Sequence, residues 1–314
     1  MTPRRIAAVA AVAALALTAV GLSYESLGQA AVRSILTLAV PDAARHAHVR
    51  SGAPRPGHLT RVHFYSRALH RVADYLVYLP RAAATGRRLP VFYGLHGMPG
   101  HPLAFTANAA IEPRLEWLVR RHRVRPMILV FPDGRIGGHT RSDSEWANTA
   151  AGRFDSYVVD VVRDVDHRFR TLPRRADRVI AGLSAGAYGA ANVGLHHLGL
   201  FGGIQVWSGY FRQTHDGVFA GAGPATMVAN SPLDYAWKLR STFVRDPTHV
   251  FIYTGTWDAD RWQTPPMTAE LRAVGADATD AVYRGGHSWT LWSAHTDQML
   301  ELASRWFAHP AVRR

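Results

Sequence analysis

Short apolar runs alternate with amphipathic stretches along most of the chain after residue 57. The runs at 91–95 and 127–131 are apolar throughout, which is typical of strands buried on both faces of a parallel sheet. Runs of the same kind predict further strands at 62–65, 75–79, 178–181, 204–207, 250–253 and 281–283. The alternation indicates an α/β fold, with a mostly parallel central sheet and helices on both faces.

Helical periodicity fills several intervals between the predicted strands. Val158, Val162, Val165 and Phe169 recur at the spacing of one helix face. Helices are also predicted at 105–123, 185–193 and 292–308.

One stretch, 209–248, is rich in Gly, Pro and polar residues and interrupts the alternation. We interpret it as an insertion that covers the functional site.

The first thirty residues have the pattern of an export leader. Arg4 and Arg5 precede an apolar run from Ile6 to Leu22, and Gly28 and Ala30 supply the small residues that a signal peptidase reads. The run is slightly shorter than the roughly 20 residues of a membrane-spanning helix. Residues 1–30 are therefore predicted to be either a cleaved signal peptide or an uncleaved membrane anchor. Either interpretation places the rest of the chain outside the cytoplasm, secreted or membrane-anchored.

The domain organisation follows from the same patterns. Prolines and glycines break up residues 31–56, which we interpret as a connector between the leader and the folded domain. The folded domain is predicted to span 57–314.

Composition narrows the classes of function. The net charge of +13 comes almost entirely from arginine, and it reflects either genome base composition or attraction to an anionic membrane or cell-wall surface. The arginines form no basic stripe with interleaved aromatic residues, which disfavours nucleic-acid binding. The chain has no cysteine, which excludes disulfides, thiolate metal sites and a cysteine nucleophile.

The segment Gly182-Leu183-Ser184-Ala185-Gly186 stands where a buried strand ends and a helix of small residues begins. A sharp strand–turn–helix bend of this kind exposes a serine side chain above the sheet. The segment predicts Ser184 as a nucleophile; the alternative is a tight structural turn.

A serine nucleophile needs a base, and in this fold class the chain order is serine, acid, histidine. His287 follows the last predicted strand on a loop with Gly285 and Gly286, which leaves its imidazole free to reach over the sheet. The acid is expected after the strand at 250–253, where Asp258 and Asp260 are both available. Asp258 is preferred because it lies closer to the strand end. It would orient the imidazole and stabilise its charged form.

Acyl transfer also needs N–H donors for the developing oxyanion. The backbone N–H of Ala185, directly after the nucleophile, is one candidate. The segment 96–100 follows an early strand, and Met98 within it is the second candidate; the alternative for this segment is an ordinary strand-to-helix turn.

Together these segments resemble the esterase family that groups esterase D, feruloyl esterases, enterochelin esterases and the antigen 85 mycolyltransferases. The resemblance covers about 57–308 and is carried by HGMPG at 96–100, the GLSAG segment, GTWD at 255–258 and GGHSWTLW at 285–292. It implies an α/β-hydrolase fold and a serine esterase or acyltransferase that uses no metal and no cofactor. It also implies Ser184, Asp258 and His287 as the catalytic triad, with Met98 and Ala185 as oxyanion donors.

The resemblance leaves the branch of the family open. The histidine loop is similar to that of antigen 85, whereas the segment at 96–100 and the aspartate acid differ from that branch, and its sugar-contacting arginine is missing. An exported serine esterase acting on a small-molecule, lipid or sugar ester is the leading hypothesis. Its rivals are an acyltransferase that moves the acyl group to a sugar or lipid hydroxyl, and a non-catalytic envelope-binding protein. Trp257, Trp289 and Trp292 either line a pocket or pack in the core.

Overall fold

The computed structural model describes residues 52–139, 142 and 144–311 of the chain. The predicted leader and all but the end of the predicted connector lie outside the described residues.

A mostly parallel sheet of eight strands lies at the centre of the described part of the chain. The strands, including two in a small separate hairpin, are β1 His58–Ser66, β2 Arg71–Leu79, β3 Val91–Leu95, β4 Ile128–Pro132, β5 Asn148–Thr149, β6 Gly152–Arg153, β7 Arg178–Leu183, β8 Gly203–Trp207, β9 His249–Gly255 and β10 Asp277–Tyr283. Strand order in the main sheet is β1-β2-β4-β3-β7-β8-β9-β10, and β5 pairs with β6. β2 is antiparallel to β1 and β4, and the other neighbours are parallel.

Nine α-helices are present in the residues that the structure describes. They are α1 Ala104–Ala109, α2 Ile111–Arg120, α3 Phe154–Arg168, α4 Ala185–His196, α5 Pro224–Ala229, α6 Pro232–Tyr235, α7 Arg240–Arg245, α8 Thr264–Ala273 and α9 Trp289–Ala308. Short 3₁₀ turns occupy Arg81–Thr85, Ile136–Gly138, Arg175–Asp177, Gly217–Phe219, Ala236–Leu239 and Arg261–Gln263. None of the described helices has both the length and the apolar character needed to cross a membrane.

Two hydrophobic clusters sandwich the sheet. One joins a face of the sheet to α3, α4 and α8, and the other joins the opposite face to α1, α2 and α9. The packing of β3 explains why its sequence is apolar throughout. Val91 and Tyr93 pack into the first cluster, while Phe92 packs into the second. The predicted α/β architecture with helices on both faces is confirmed.

The structure corrects several predicted boundaries. The single helix predicted at 105–123 is two helices, α1 and α2, because Ala110 adopts a left-handed φ of 46° between them. The last helix begins at Trp289 and not at residue 292. The last strand begins at Asp277, four residues before the predicted run. The apolar pattern does not extend to this start because the outward-facing residues of the strand are polar at the sheet edge.

The stretch 209–248 holds the short helices α5, α6 and α7 between β8 and β9. It packs against α4 and α8 on one face of the sheet. Its first residues reach the carboxyl edge of the sheet, where the hydroxyl of Tyr210 donates a short hydrogen bond to Glu145. That this stretch covers the site stays a prediction.

Candidate active site

The carboxyl ends of the parallel strands bring the predicted site residues to one edge of the sheet. Residues 96–100 follow β3, Ser184 follows β7, Asp258 lies just beyond β9, and His287 lies just beyond β10. Because these strands are parallel, their carboxyl ends meet at the same edge, where α/β sheets place their ligands.

Ser184 occupies a strained turn between β7 and α4, with φ 56° and ψ −125°. Two glycines permit this turn. A Cβ on Gly182 would lie 2.0 Å from the carbonyl oxygen of Gly186, and a Cβ on Gly186 would lie 2.1 Å from the carbonyl oxygen of Leu95. Both contacts are with backbone atoms, so no side-chain movement could relieve them. The pattern Gly-x-Ser-x-Gly is therefore a requirement of close backbone packing at this point.

A continuous chain of hydrogen bonds joins the serine, histidine and aspartate. The Oγ of Ser184 lies 2.8 Å from Nε2 of His287. The Nδ1 of the same imidazole lies 2.7 Å from Oδ1 of Asp258. An ionised carboxylate only accepts hydrogen bonds, so the ring proton sits on Nδ1. Nε2 is then free to accept the proton of the serine hydroxyl.

Asp258 is the buried end of this chain, with 2% of its side chain exposed, whereas 23% of the His287 side chain is exposed. Burial alone would raise the pKa of the carboxyl. The hydrogen bond and charge of His287, together with the N–H of Gly255 and the hydroxyl of Ser208, outweigh burial and hold the pKa of Asp258 below its usual range. Asp258 is therefore ionised at neutral pH.

The structure distinguishes between the two candidate acids. Asp258 faces the imidazole, whereas Oδ1 of Asp260 accepts a hydrogen bond of 3.2 Å from the side chain of Gln263. Gln263 also accepts hydrogen bonds from the backbone N–H groups of Phe211 and Arg212. Asp260 thus contributes to the connection between the acid loop and the 209–248 stretch.

The segment 96–100 lies directly against the serine. A Cβ on Gly97 would stand 2.9 Å from Cβ of Ser184, so only glycine allows this approach. Met98, the next residue, is half-buried beside it. Ala185 is the first residue of α4, and a helix has no internal acceptor for the N–H of its first residue. The structure therefore places Gly97, the neighbour of Met98, against Ser184, and Ala185 directly after Ser184; that Met98 and Ala185 are oxyanion donors stays a prediction.

Three buried groups fix the course of the segment 96–100. The Nδ1 of His96 donates to the carbonyl oxygen of Gly97 at 3.0 Å, and its Nε2 accepts from the N–H of Gly134 at 3.1 Å. The indole of Trp146 donates to the carbonyl oxygen of His96 at 3.1 Å. A Cβ on Gly189 would lie 2.6 Å from the Trp146 side chain, so this indole also packs on α4. The segment is thus tied both to the end of β4 and to α4, the helix that follows Ser184.

The three tryptophans of the acid and histidine loops have different environments. Trp292 is buried, and its ring lies 5.0 Å from the His287 ring in an edge-on arrangement. Trp289 is half-buried, in edge-on contact with Trp292 and Phe105. Trp257 is 69% exposed, on the loop beside Gly286. Trp292 therefore contacts the imidazole, and Trp257 faces solvent.

A cavity of about 940 Å³ lies at the opposite edge of the sheet. Its lining includes Leu89 and Ile128, at the amino ends of β3 and β4, and the exposed Arg87. Because Ser184 lies at the carboxyl edge, this cavity does not belong to the candidate active site. In the described ranges, no group of three or more His, Asp or Glu side chains is arranged to hold a metal ion.

Sequence reasoning missed Ser208 and Thr254 and did not foresee the structural role of Trp146. Ser208 directly follows the strand predicted at 204–207, so the sequence could have placed it at the carboxyl edge, although not beside Asp258. Thr254 directly precedes the GTWD segment that carries the acid. For Trp146, no local pattern in the sequence indicates which backbone atoms the indole would reach.

The fold and the site define a hydrolase of the α/β class, with a serine, a histidine and an aspartate hydrogen-bonded at the carboxyl edge of a mostly parallel sheet. The family described as "Putative esterase" matches residues 66–302, which is more than half of the chain. The protein belongs to this esterase family.

Several solved structures have a similar fold. A ferulic acid esterase superposes with a TM-score of 0.69 at 22% identity, covering 79% of this chain and 98% of the other. The fluorophosphonate-binding serine hydrolase FphF of Staphylococcus aureus has a TM-score of 0.66 at 18% identity, covering 81% of this chain and 100% of the other. An S-formylglutathione hydrolase from Agrobacterium tumefaciens has a TM-score of 0.66 at 15% identity, covering 82% and 99%. At these identities the likeness establishes the fold.

Proposed function

We propose that the protein is an exported serine esterase that hydrolyses carboxylic esters through an acyl-enzyme on Ser184. The observation that carries the proposal is the hydrogen-bonded chain from Ser184 through His287 to Asp258, with distances of 2.8 and 2.7 Å. A nucleophile within hydrogen-bond reach of a base, which is itself oriented by a third group, is the arrangement that activates a serine.

In the first half of the reaction, Nε2 of His287 takes the hydroxyl proton as Oγ of Ser184 attacks the ester carbonyl. The imidazolium that forms is stabilised by the ionised Asp258, whose lowered pKa keeps the proton on the ring. The imidazolium then gives its proton to the departing alcohol. This step leaves the acyl group on Ser184.

The tetrahedral intermediate carries a negative charge on the former carbonyl oxygen. The backbone N–H groups of Met98 and Ala185 are proposed to stabilise that charge. The packing of Gly97 against Ser184 supports this role, because it holds the segment with Met98 beside the reacting carbon. A preorganised donor of this type is worth roughly a hundredfold to a thousandfold in kcat.

In the second half, water replaces the alcohol. His287 removes a proton from the water, hydroxide adds to the acyl carbon, and collapse of the second intermediate returns the proton to Oγ of Ser184. The products are a carboxylic acid and the free enzyme. The exposed fraction of His287, 23%, is consistent with access of water to the base.

The proposal includes a class of substrate and a location for the protein. The solved structures of similar fold include a ferulic acid esterase and an S-formylglutathione hydrolase. We therefore expect small acyl esters, including hydroxycinnamoyl esters, to be substrates. Export rests on the Arg4-Arg5 pair and the apolar run from Ile6 to Leu22.

The proposal is tested by measuring hydrolysis of p-nitrophenyl esters from acetate to laurate, and of ethyl ferulate, by the full-length protein. Ser184→Ala should abolish hydrolysis of every ester, while Asp260→Asn should retain wild-type kcat. Equal rates for the wild type and Ser184→Ala would contradict the mechanism. Fractionation of cells that make the full chain, with N-terminal mass determination, tests export: recovery only from the cytosol would contradict it.

A further inference from the structure

The carboxylate of Asp258 is held on both of its oxygens. Oδ1 faces the imidazole of His287, while Oδ2 accepts three hydrogen bonds. Two of the three donors are local: the hydroxyl of Thr254 at 3.0 Å and the N–H of Gly255 at 2.6 Å. The third is the hydroxyl of Ser208 at 2.7 Å, from the end of the neighbouring strand β8, fifty residues earlier in the chain. Ser208 therefore ties the acid to a second strand of the sheet.

The backbone of Ser208 is constrained to present its side chain in this way. Its φ of 56° lies in the left-handed region, which non-glycine residues seldom adopt. Its N–H donates to the carbonyl oxygen of Tyr253 at 2.7 Å, and the residue is buried. A strained, buried serine at the carboxyl edge of a sheet is a feature expected at functional sites.

The direction of the Ser208 hydroxyl proton follows from its two partners. The indole Nε1 of Trp292 lies 3.0 Å from Oγ of Ser208, and an indole N–H can only donate. Ser208 must therefore accept from Trp292 and direct its own proton to Asp258. The same Trp292 ring lies edge-on to His287 at 5.0 Å. One tryptophan thus contacts the base and also orients the hydroxyl that holds the acid.

We propose that Ser208 is a positioning residue for Asp258, and that Trp292 sets the orientation of both Ser208 and His287. This inference rests on the proposed serine esterase function. Ser208 fixes the rotation of the carboxylate about its Cβ–Cγ bond, so that Oδ1 points at Nδ1 of His287 before substrate arrives. The pair acts on the reaction through Asp258 and His287 and needs no contact with substrate.

The test compares Ser208→Ala and Ser208→Gly with the wild type and with a matched control, Ser66→Ala. Ser66 is also a buried serine whose hydroxyl donates to a carboxylate, that of Asp160 at 2.9 Å, but it is the last residue of β1, away from the site. Glycine tolerates a φ of 56°, so the Ser208→Gly variant should fold even if the Ser208→Ala variant does not. Hydrogen bonds to charged groups are strong, so both Ser208 variants should lose about tenfold to hundredfold in kcat with KM unchanged. Ser66→Ala should lose only stability.

Two further readouts complete the test. Trp292→Phe keeps a ring beside His287 and removes the N–H, so its loss in kcat should be smaller than that of Ser208→Gly. The downfield proton resonance of the His287 Nδ1–H reports the contact with Asp258 without any substrate, and it should move in the Ser208 variants and stay in place in Ser66→Ala.

The possible outcomes separate the two proposals. If the wild type hydrolyses no ester, the proposed function fails, and the proton resonance alone decides the positioning role. If the wild type is active and the Ser208 variants match Ser66→Ala in kcat and in the resonance, the positioning role is overturned.

Discussion

Replacing Asp258 with asparagine should inactivate the enzyme through the wrong histidine tautomer. Three donors converge where Oδ2 now lies, and one of them, the N–H of Gly255 at 2.6 Å, belongs to the backbone and cannot turn away. An amide NH₂ in that place would oppose a fixed donor. The asparagine oxygen must therefore occupy the Oδ2 position, and its NH₂ must face Nδ1 of His287.

The consequence for the imidazole follows directly. An NH₂ group donates, so Nδ1 of His287 must accept, and the ring proton moves to Nε2. Nε2 then carries a hydrogen where it should accept the proton of Ser184, from 2.8 Å away. An acid-to-amide change in a Ser–His–Asp site lowers kcat about 10⁴-fold, which is roughly 5 kcal/mol of transition-state stabilisation.

The assay is steady-state hydrolysis of p-nitrophenyl acetate by the wild type, Asp258→Asn and the control Asp260→Asn. We expect the 10⁴-fold loss in kcat for Asp258→Asn, little change in KM and a native far-UV spectrum. Asp260→Asn should match the wild type. Retention of more than about a tenth of kcat by Asp258→Asn would refute the tautomer argument, since no such activity is compatible with a protonated Nε2.

Three further substitutions test other parts of the structure. Gly97→Ala should lower kcat about a hundredfold, because its Cβ would meet Ser184 at 2.9 Å and displace an oxyanion donor; Gly223→Ala, in open space, should leave the rate of p-nitrophenyl acetate hydrolysis unchanged. Burial lowers the pKa of His101 to about 4, so the native state loses stability as pH falls below the ordinary histidine value of 6.5. The free energy of unfolding in urea should therefore fall less between pH 7.5 and pH 5 in His101→Gln than in the wild type, by about 1 kcal/mol, a value that allows for partial exposure of the side chain. An equal fall in both proteins would contradict this. Burial raises the pKa of Glu112, which penalises its ionised form, so Glu112→Gln should be more stable by about 1 kcal/mol at pH 7.5 and its advantage should shrink towards pH 4 as the wild-type carboxyl is protonated.

The strands and the order of the site segments could be predicted from the sequence for one physical reason. Strands buried on both faces must be apolar at every position, as β3 and β4 are, and such runs are conspicuous in a sequence. The candidate catalytic residues Ser184 and Asp258 lie just beyond the carboxyl ends of such strands, as predicted from the sequence. The start of β10 escaped prediction because Thr279 and Asp280 face solvent at the sheet edge.

Other features depend on contacts that no local pattern encodes. The break between α1 and α2 falls at Ala110, an ordinary helix former, so nothing in the sequence marks its left-handed backbone. The role of Ser208 depends on which strand lies beside β9, and strand order is set by the assembled sheet. The hydrogen bond from the Trp146 indole to the segment 96–100 likewise forms only once β4 and α4 have packed together.

The most direct test of the central claim is to treat the full-length wild type and Ser184→Ala with a fluorophosphonate probe and to locate the adduct by peptide mass spectrometry. Such a probe phosphonylates a serine only when a neighbouring base has activated it. The account predicts one adduct, on the peptide that contains Ser184, together with complete loss of ester hydrolysis, and no adduct on Ser184→Ala. An adduct on a different residue, or an unlabelled wild type that still hydrolyses esters, would contradict it.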